Sequence, residues 1–321
     1  MSLGEFELIE RFFKTSAERD DVVLGVGDDC AVVDVPAGKK LVVTTDTLVN
    51  GVHFPVSTSP ENIACKSVAV NLSDLAAMGA EPAWITLSLT LPESDENWLA
   101  RFASGFIETL RNYNVQLIGG DTTHGPLSIT VQAMGLVTES HIMRRDTASS
   151  GDAIYVTGTI GDAATGLSLL FEETSHDEDA EWLINRLNRP LPRVEFGQRA
   201  AQHCRCAIDI SDGLAADLGH VVRASQCGAT VNLVDLPLSR QLINKQGGLG
   251  AIDWNRILTG GDDYELLVVV SADKEQSLLT AASQLSLPLS KIGTIKEEPG
   301  LSFIQADNTI LTLNGSGYEH F

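Results

Sequence analysis

The sequence predicts an α/β protein of two domains, and three observations predict it. The chain has 321 residues, more than one hydrophobic core usually supports. Apolar runs of strand character alternate along it with stretches of helical period, which is the pattern of a layered α/β architecture. The tripeptide GGD occurs once in each half, at 119–121 and 260–262, a weak sign that the halves are related.

The elements follow in order. Phe6, Ile9, Phe12 and Phe13 recur at helical spacing and predict a short amphipathic N-terminal helix. AVVDVP and KKLVVTTDTLV read as strands, the second ending at Asp46. Pro60 opens a helix that runs to about Met78, with Pro in the first turn where its missing N–H costs nothing. Ser67, Asn71 and Asp74 fall at i, i+4 and i+7 of that helix and so share one polar face. WITLSLTLP is a strand, 96–112 a helix, VQLIGG a strand ending at Asp121, and LSITVQAMGLV another strand. The stretch 139–151, TESHIMRRDTASSGD in its wider context, breaks the pattern and sets the domain boundary. Beyond it come the strand AIYVTG, a helix from Asp162, more helix to His203, and the strand CAIDI. Asp212 heads a further helix, and TVNLV, YELLVVV, SKIGTI and LSFI follow as strands.

Composition narrows the function. There are 43 acidic and 22 basic residues, a net charge of −21. Nucleic acid and anionic membranes both need a basic face, so neither is an expected partner. Five cysteines, an odd number in a long chain, fit reduced thiols and a cytoplasmic location. The acidic start MSLGEFELIERFF lacks the pattern of a signal peptide, and no apolar run spans a bilayer.

The acidic excess is concentrated. Nine aspartates come from six segments that contain no Lys or Arg: Asp28 and Asp29 in LGVGDDCA, Asp46 in VVTTDTLV, Asp74 in VNLSDLAAMGA, Asp121 in LIGGDTTH, Asp209 and Asp212 in AIDISDGLAADL, Asp262 and Asp263 in LTGGDDYELL. Carboxylates gathered without basic partners repel one another unless cations neutralise them. Hard divalent cations with oxygen ligands answer that need, and Mg²⁺ usually brings phosphates with it. The known nucleotide motifs are otherwise missing: there is no G-x-x-x-x-G-K-[ST], no H-R-D and no complete G-x-G-x-x-G. VTGTIGDAATG could cradle an anion at a helix start, but a plain turn explains it better.

Each aspartate also has a bland explanation. Asp212, Asp162 and Asp152 suit helix caps or turns. Asp74 is harder to explain this way, because Asp is a poor residue inside a helix. Asp46 and Asp121 stand beside apolar strands, where α/β proteins place ligands. Arg144 and Arg145 are the chain's paired arginines, fit either for a solvated hinge or for gripping a phosphate. His53 is a lone histidine, and Tyr318 an aromatic in a Gly-rich tail that could stack on a flat ligand.

In order, GVGDDCAVV, TTDTLVNGVHF, AVNLSDLAAMGAEP, GGDTT, GDAIYVTGTIGDAATGL, AIDISDGLAADL and GGDDYELL resemble the thiamine-monophosphate kinase family, up to the final GYEHF. These are ATP-dependent enzymes that make thiamine diphosphate, in the superfamily of aminoimidazole ribonucleotide synthetase. The resemblance implies that superfamily's fold, with an N-terminal mixed-sheet domain over 1–140 that binds ATP and metal. A C-terminal α/β domain over 141–321 would complete the site, in a homodimer. It implies several Mg²⁺ ions held by Asp28, Thr44, Thr45, Asp46, Asp74, Asp121, Asp209 and Asp212. Gly120, Asp121, Arg145 and Ser211 would contact ATP, and His53, Asp262 and Tyr318 would contact thiamine monophosphate. Many members carry Glu where this chain has Asp262. A monovalent-ion requirement is left open, and Asp29 and Asp263 have no role.

The implied chemistry suits the composition. The acceptor phosphate is already anionic near neutral pH, so no separate general base is expected, and neutralising two polyanions is the main task. Other superfamily chemistries fit less well. A selenophosphate synthetase wants a reactive Cys near the N-terminus, whereas the first here is Cys30, and a hydrogenase-maturation relative wants a C-terminal Cys. A non-catalytic nucleotide-binding subunit would show eroded metal positions, yet each carries Asp or Thr.

Overall fold

The computed structural model describes residues 5–13, 19–172, 177–315 and 317–318. Glu319, His320 and Phe321 of the expected GYEHF ending lie outside them. The chain divides into two compact units, one of residues 1–75 and 80–140, the other of 76–79 and 141–321.

The first unit begins with helix α1 (Glu5–Phe12), followed by the short pair β1 (Val22–Leu24) and β2 (Val32–Val33). Strand β3 (Lys39–Val49), helix α2 (Pro60–Ala77), strand β4 (Glu81–Leu91), helix α3 (Glu96–Asn112), strand β5 (Gln116–His124) and strand β6 (Ser128–Thr138) complete it. The main sheet has the order β3-β6-β4-β5, so β3 and β5 are its two edges. β4 and β5 are parallel and the other pairs antiparallel, a mixed sheet. α2 is buried nearly all round, with Val68, Leu72 and Leu75 inaccessible, as expected of a core helix. α3 is started by Asp95, whose carboxylate accepts the N–H groups of Asn97 and Trp98. Its Phe102 and Phe106 stack at 5.8 Å, and Phe13 meets both edge-on.

Two expected strand ends move. Strand β3 does not stop at Asp46 but continues to Val49, and β5 passes Asp121 to His124. The reason is pairing. The β3 ladder runs unbroken from Lys39 opposite Thr138 to Val49 opposite Ser128, and β5 pairs with β4 as far as His124 opposite Leu91. Both aspartates are therefore strand residues, and the pleat fixes which face each one takes.

The second unit contains β7 (Ala153–Thr157), α4 (Asp162–Leu170), α5 (Glu178–Asn188), α6 (Val194–Ala200), β8 (Cys206–Asp209), α7 (Leu214–Ala224) and β9 (Gly228–Asn232). Then come α8 (Arg240–Lys245), α9 (Trp254–Thr259), β10 (Leu266–Val270), α10 (Glu275–Gln284), β11 (Leu289–Lys296) and β12 (Gly300–Ile304). Its sheet has the order β12-β9-β11-β7-β10-β8 and is antiparallel except for the β12/β9 pair. Ile154, Val156, Ile208, Leu218, Val221 and Leu267 are among the residues of its core. Among the described residues, no helix is long and apolar enough to cross a membrane.

Candidate active site

In the first unit the predicted residues form two groups. The first lies where β3 meets α2. Thr44 and Asp46 share one face of β3 by alternation, and the Thr44 hydroxyl donates to Asp74 Oδ2 at 2.5 Å. This is the face of the sheet that carries the core residues Val131 and Leu87, cross-strand neighbours in the row of Asp46. Thr45 turns to the opposite face, where its hydroxyl donates to the Val131 carbonyl. The structure thus separates Thr45 from Thr44 and Asp46. His53 follows β3 in a tight turn. Its Nδ1 accepts the Val49 N–H at 2.9 Å, and its carbonyl accepts from the buried Lys66 ammonium. With Nδ1 engaged as an acceptor, the neutral ring carries its proton on Nε2.

The second group sits at the β5 edge. A cleft of about 650 Å³ is lined by Ile9 of α1 and Phe13 just after it, by Asp28, Asp29 and Cys30 of the GVGDDC loop, and by Gly119, Gly120 and Asp121 of β5, with others. Asp28 and Asp121 are both exposed here. Asp28 Oδ1 accepts the Asp29 N–H, a small structural task for Asp29. Gly120 lines the cleft without a side chain, and only glycine fits there, because a Cβ would lie 2.0 Å from the Leu87 carbonyl oxygen of β4.

The two groups are not adjacent. The row Asp46–Val131–Leu87–Gly120 crosses the whole sheet, and Asp121 belongs to the neighbouring row with Thr47, Thr130 and Ser88. Asp46 and Asp121 therefore occupy opposite edges, about 14 Å apart along the sheet at three strand spacings, and opposite faces.

The second unit brings its predicted residues together. Asp209 is the last residue of β8, buried and paired with Leu266, and the loop after it carries Ser211 and Asp212, with the GGDDYE loop before β10 zipped to it. The N–H groups of Asp262 and Tyr264 donate to the carbonyls of Ser211 and Ile210, each at 2.8 Å, and the Ile210 N–H donates to the Glu265 carbonyl. Gly261 permits this approach, because a Cβ there would meet the Ser211 carbonyl oxygen at 2.2 Å. Asp262 sits at φ 70, in the left-handed region that Asp tolerates better than most residues. That conformation suits the Asp found here. The Tyr318 N–H donates to the Asp212 carbonyl at 3.2 Å, and both residues line a pocket of about 490 Å³ with Ala216, His220 and Arg223. Of the paired arginines, Arg144 is bound to Asp146. Arg145 is exposed, and its charge is felt at Asp217 and His220.

Asp212 does not cap α7. The cap residue is Gly213, and the carboxylate that secures the turn belongs to Asp217, whose Oδ2 accepts the N–H groups of Ser211 and Asp212 at 3.0 and 3.1 Å. Sequence reasoning misses Asp217, although its place in the first turn of a helix is a signal. Burial and then the Asp212 charge push its carboxyl up to about 7, against the two N–H groups and Arg145. Asp263 also finds its role. It is buried, and its carboxylate accepts the Gly161 and Ala163 N–H groups at the start of α4. VTGTIGDAATG is therefore already occupied by an internal carboxyl group, which supports the plain-turn reading. Burial drives the Asp263 carboxyl well above its ordinary range. Beside it, Glu265 accepts from Thr157, Arg186 and Arg193, and Gly158 at φ +58 leaves room for that carboxylate.

The donors in both units are carboxylates, hydroxyls and backbone groups, an all-oxygen set suited to hard divalent cations. Among the described residues, no three His, Cys, Asp or Glu side chains form a complete cation cage. Mg²⁺ does not need one, because it usually keeps waters and binds one or two carboxylates plus phosphates. The five cysteines are free thiols.

Residues 27–137 match the family AIR synthase related protein, N-terminal domain, and residues 149–305 its C-terminal domain. Thiamine-monophosphate kinase of Haemophilus influenzae is 45% identical across 100% of this chain and 99% of its own length. The crystal structure of thiamine-monophosphate kinase from Stenotrophomonas maltophilia K279a is 47% identical with a TM-score of 0.86, over 94% of this chain and 97% of that one. A second structure, AaThiL complexed with AMPPCP and TMP, is 32% identical with a TM-score of 0.79, over 99% and 97% of the two chains. On residues, fold and full-length similarity alike, the chain belongs to the thiamine-monophosphate kinase family.

Proposed function

We propose that this chain transfers the terminal phosphoryl group of ATP to the phosphate of thiamine monophosphate, in line, giving thiamine diphosphate and ADP. The observation that carries this reading is the pair of zipped loops in the second unit, where Ser211 and Asp212 stand beside Asp262 and Tyr318. Donors suited to metal-bound phosphates and groups suited to an aromatic cation are fixed by one backbone ladder. A relative crystallised with AMPPCP and TMP supports the same pair of substrates.

The residues divide the work. Asp28, Thr44, Asp46, Asp74 and Asp121 of the first unit, with Asp209 and Asp212 of the second, would hold several Mg²⁺ ions, and Thr45 would contribute from its own face. When bound, the ions neutralise the phosphate oxygens and favour in-line displacement. The backbone at Gly120, the Arg145 guanidinium and Ser211 would receive ATP phosphates. His53 presents its Nε2–H to the acceptor phosphate. Tyr318, 46% exposed, offers its ring to the thiazolium, a contact worth about 0.5–2 kcal/mol, and Asp262 orients the same ligand. No side chain is needed to remove a proton from an acceptor that is already anionic.

We further infer a homodimer. Asp46 and Asp121 stand on opposite edges of one sheet, and β3 is an edge strand whose Leu41 and Val43 are 44% and 50% exposed. A second copy against that edge would cover them and bring its own donors near. The N-terminal domain is then chiefly the ATP and metal platform, and the C-terminal domain completes the site. Free thiols and the acidic surface fit a cytoplasmic enzyme.

The test is a product assay. The pure protein, incubated with ATP, Mg²⁺ and thiamine monophosphate, is expected to yield thiamine diphosphate and ADP in equal amounts. A folded protein that makes neither overturns the proposal.

A further inference from the structure

Asn71 has no place in the assignments above, yet it lies one turn before Asp74 on the same face of α2. Side chains three apart on a helix are neighbours. Asn71 is fully buried, and its Nδ2 donates to the Ser67 carbonyl at 3.1 Å. A carbonyl can only accept, so this bond fixes which arm of the amide is nitrogen and which is oxygen. The oxygen arm has no donor from the protein. Of the three such buried side-chain atoms among the described residues, Asn71 Oδ1 is the acceptor, while those on Arg186 and Gln246 are donors. A buried amide oxygen left without a donor costs as much as a lost hydrogen bond, and an apolar side chain of the same size would avoid that cost.

The surroundings indicate what donates. Asp74, beside it, receives the Thr44 hydroxyl and is one of the carboxylates proposed above to hold a cation. A divalent cation at such a carboxylate keeps several of its waters, and those waters are strong hydrogen-bond donors. We propose that Asn71 is a positioning residue for the cation at Asp74, its Oδ1 accepting a hydrogen bond from a water on that ion. The inference rests on the cation-binding reading above and adds to it a residue that touches neither substrate.

The test reads cation affinity rather than turnover. Mn²⁺ is titrated into the full-length protein with AMPPCP present, and free Mn²⁺ is followed by electron paramagnetic resonance. The Asp74 site is identified as the binding lost in Asp74→Asn. Asn71→Leu is expected to weaken that site by about 10–100-fold, while Asn71→Asp, which keeps an acceptor oxygen, retains it. In the Asp74→Asn background Asn71→Leu is expected to have no further effect on Mn²⁺. Should Asn71→Leu fail to fold, Asn71→Met carries the same expectation. Wild-type affinity in the apolar variants, with only the melting temperature altered, overturns the inference and leaves the kinase reading intact. A wild-type protein that binds no Mn²⁺ in the presence of AMPPCP overturns both.

Discussion

The two GGD segments lead into carboxylates of opposite kinds. In the first unit, GGDT leaves Asp121 exposed at the rim of a cleft beside the exposed Asp28. In the second, GGDDYE buries Asp263 and Glu265 completely or nearly so, each held by donors from elsewhere in the unit. The difference lies in what neutralises the carboxylate. Asp263 and Glu265 are neutralised by backbone N–H groups, by arginines or by a retained proton, and they stabilise the fold, whereas Asp209, buried at the end of β8, is the buried carboxylate proposed for a cation. Those left open or half-open are the ones proposed above to be neutralised by cations.

The comparison breaks most plainly at an exposed aspartate. Asp121→Asn is expected to lower turnover by about a thousandfold, with urea unfolding within about 0.5 kcal/mol of wild type, as for an ordinary surface change. Near-normal turnover would remove Asp121 from the site. Glu265→Gln should do the reverse. Removing one partner of the buried Glu265–Arg186–Arg193 group is expected to cost about 3–5 kcal/mol in urea unfolding, and an unchanged midpoint would show the ion pairs to be idle. For Asp217 the expected loss is smaller. Asp217→Ala leaves the Ser211 and Asp212 N–H groups without their acceptor, at about 1–3 kcal/mol, whereas Asp217→Asn keeps an acceptor and should cost less than the alanine.

The smallest effect is a pH slope. The Asp263 carboxyl is raised well above its unfolded value, which is about 3.9. As pH rises from that value toward the folded one, the folded chain still holds a proton that the unfolded chain has released. Stability therefore falls with rising pH across that window. Asp263→Asn cannot ionise, and its unfolding free energy should be flatter from pH 4 upward. An equal slope in both proteins would show that Asp263 is not the group responsible.

Much of this was legible in the residues. Apolar period and Pro60 place α2, and the order of the acidic segments points to the family before any coordinate is known. What stays hidden is whatever depends on pairing in space. Asp46 and Asp121 read as strand ends because Thr and Gly beside them look like loop residues, and only the ladders to β6 and β4 carry the strands past them. Asp212 reads as a helix cap, yet Asp217, five residues on, holds that turn from inside the helix. Asp263 could not be given a role, because the N–H groups it accepts lie a hundred residues earlier. Thr45 and Thr44 look equivalent in TTD, and the pleat alone sends them to opposite faces.

The division between cation-holding and fold-holding carboxylates is tested most directly by anomalous diffraction from crystals grown with Mn²⁺, AMPPCP and thiamine monophosphate. Peaks are expected against Asp28, Asp46, Asp74, Asp121 and Asp212, and none against Asp162, Asp217, Asp263 or Glu265. Mn²⁺ on the second set, or a bound nucleotide with no Mn²⁺ on the first, would contradict the account.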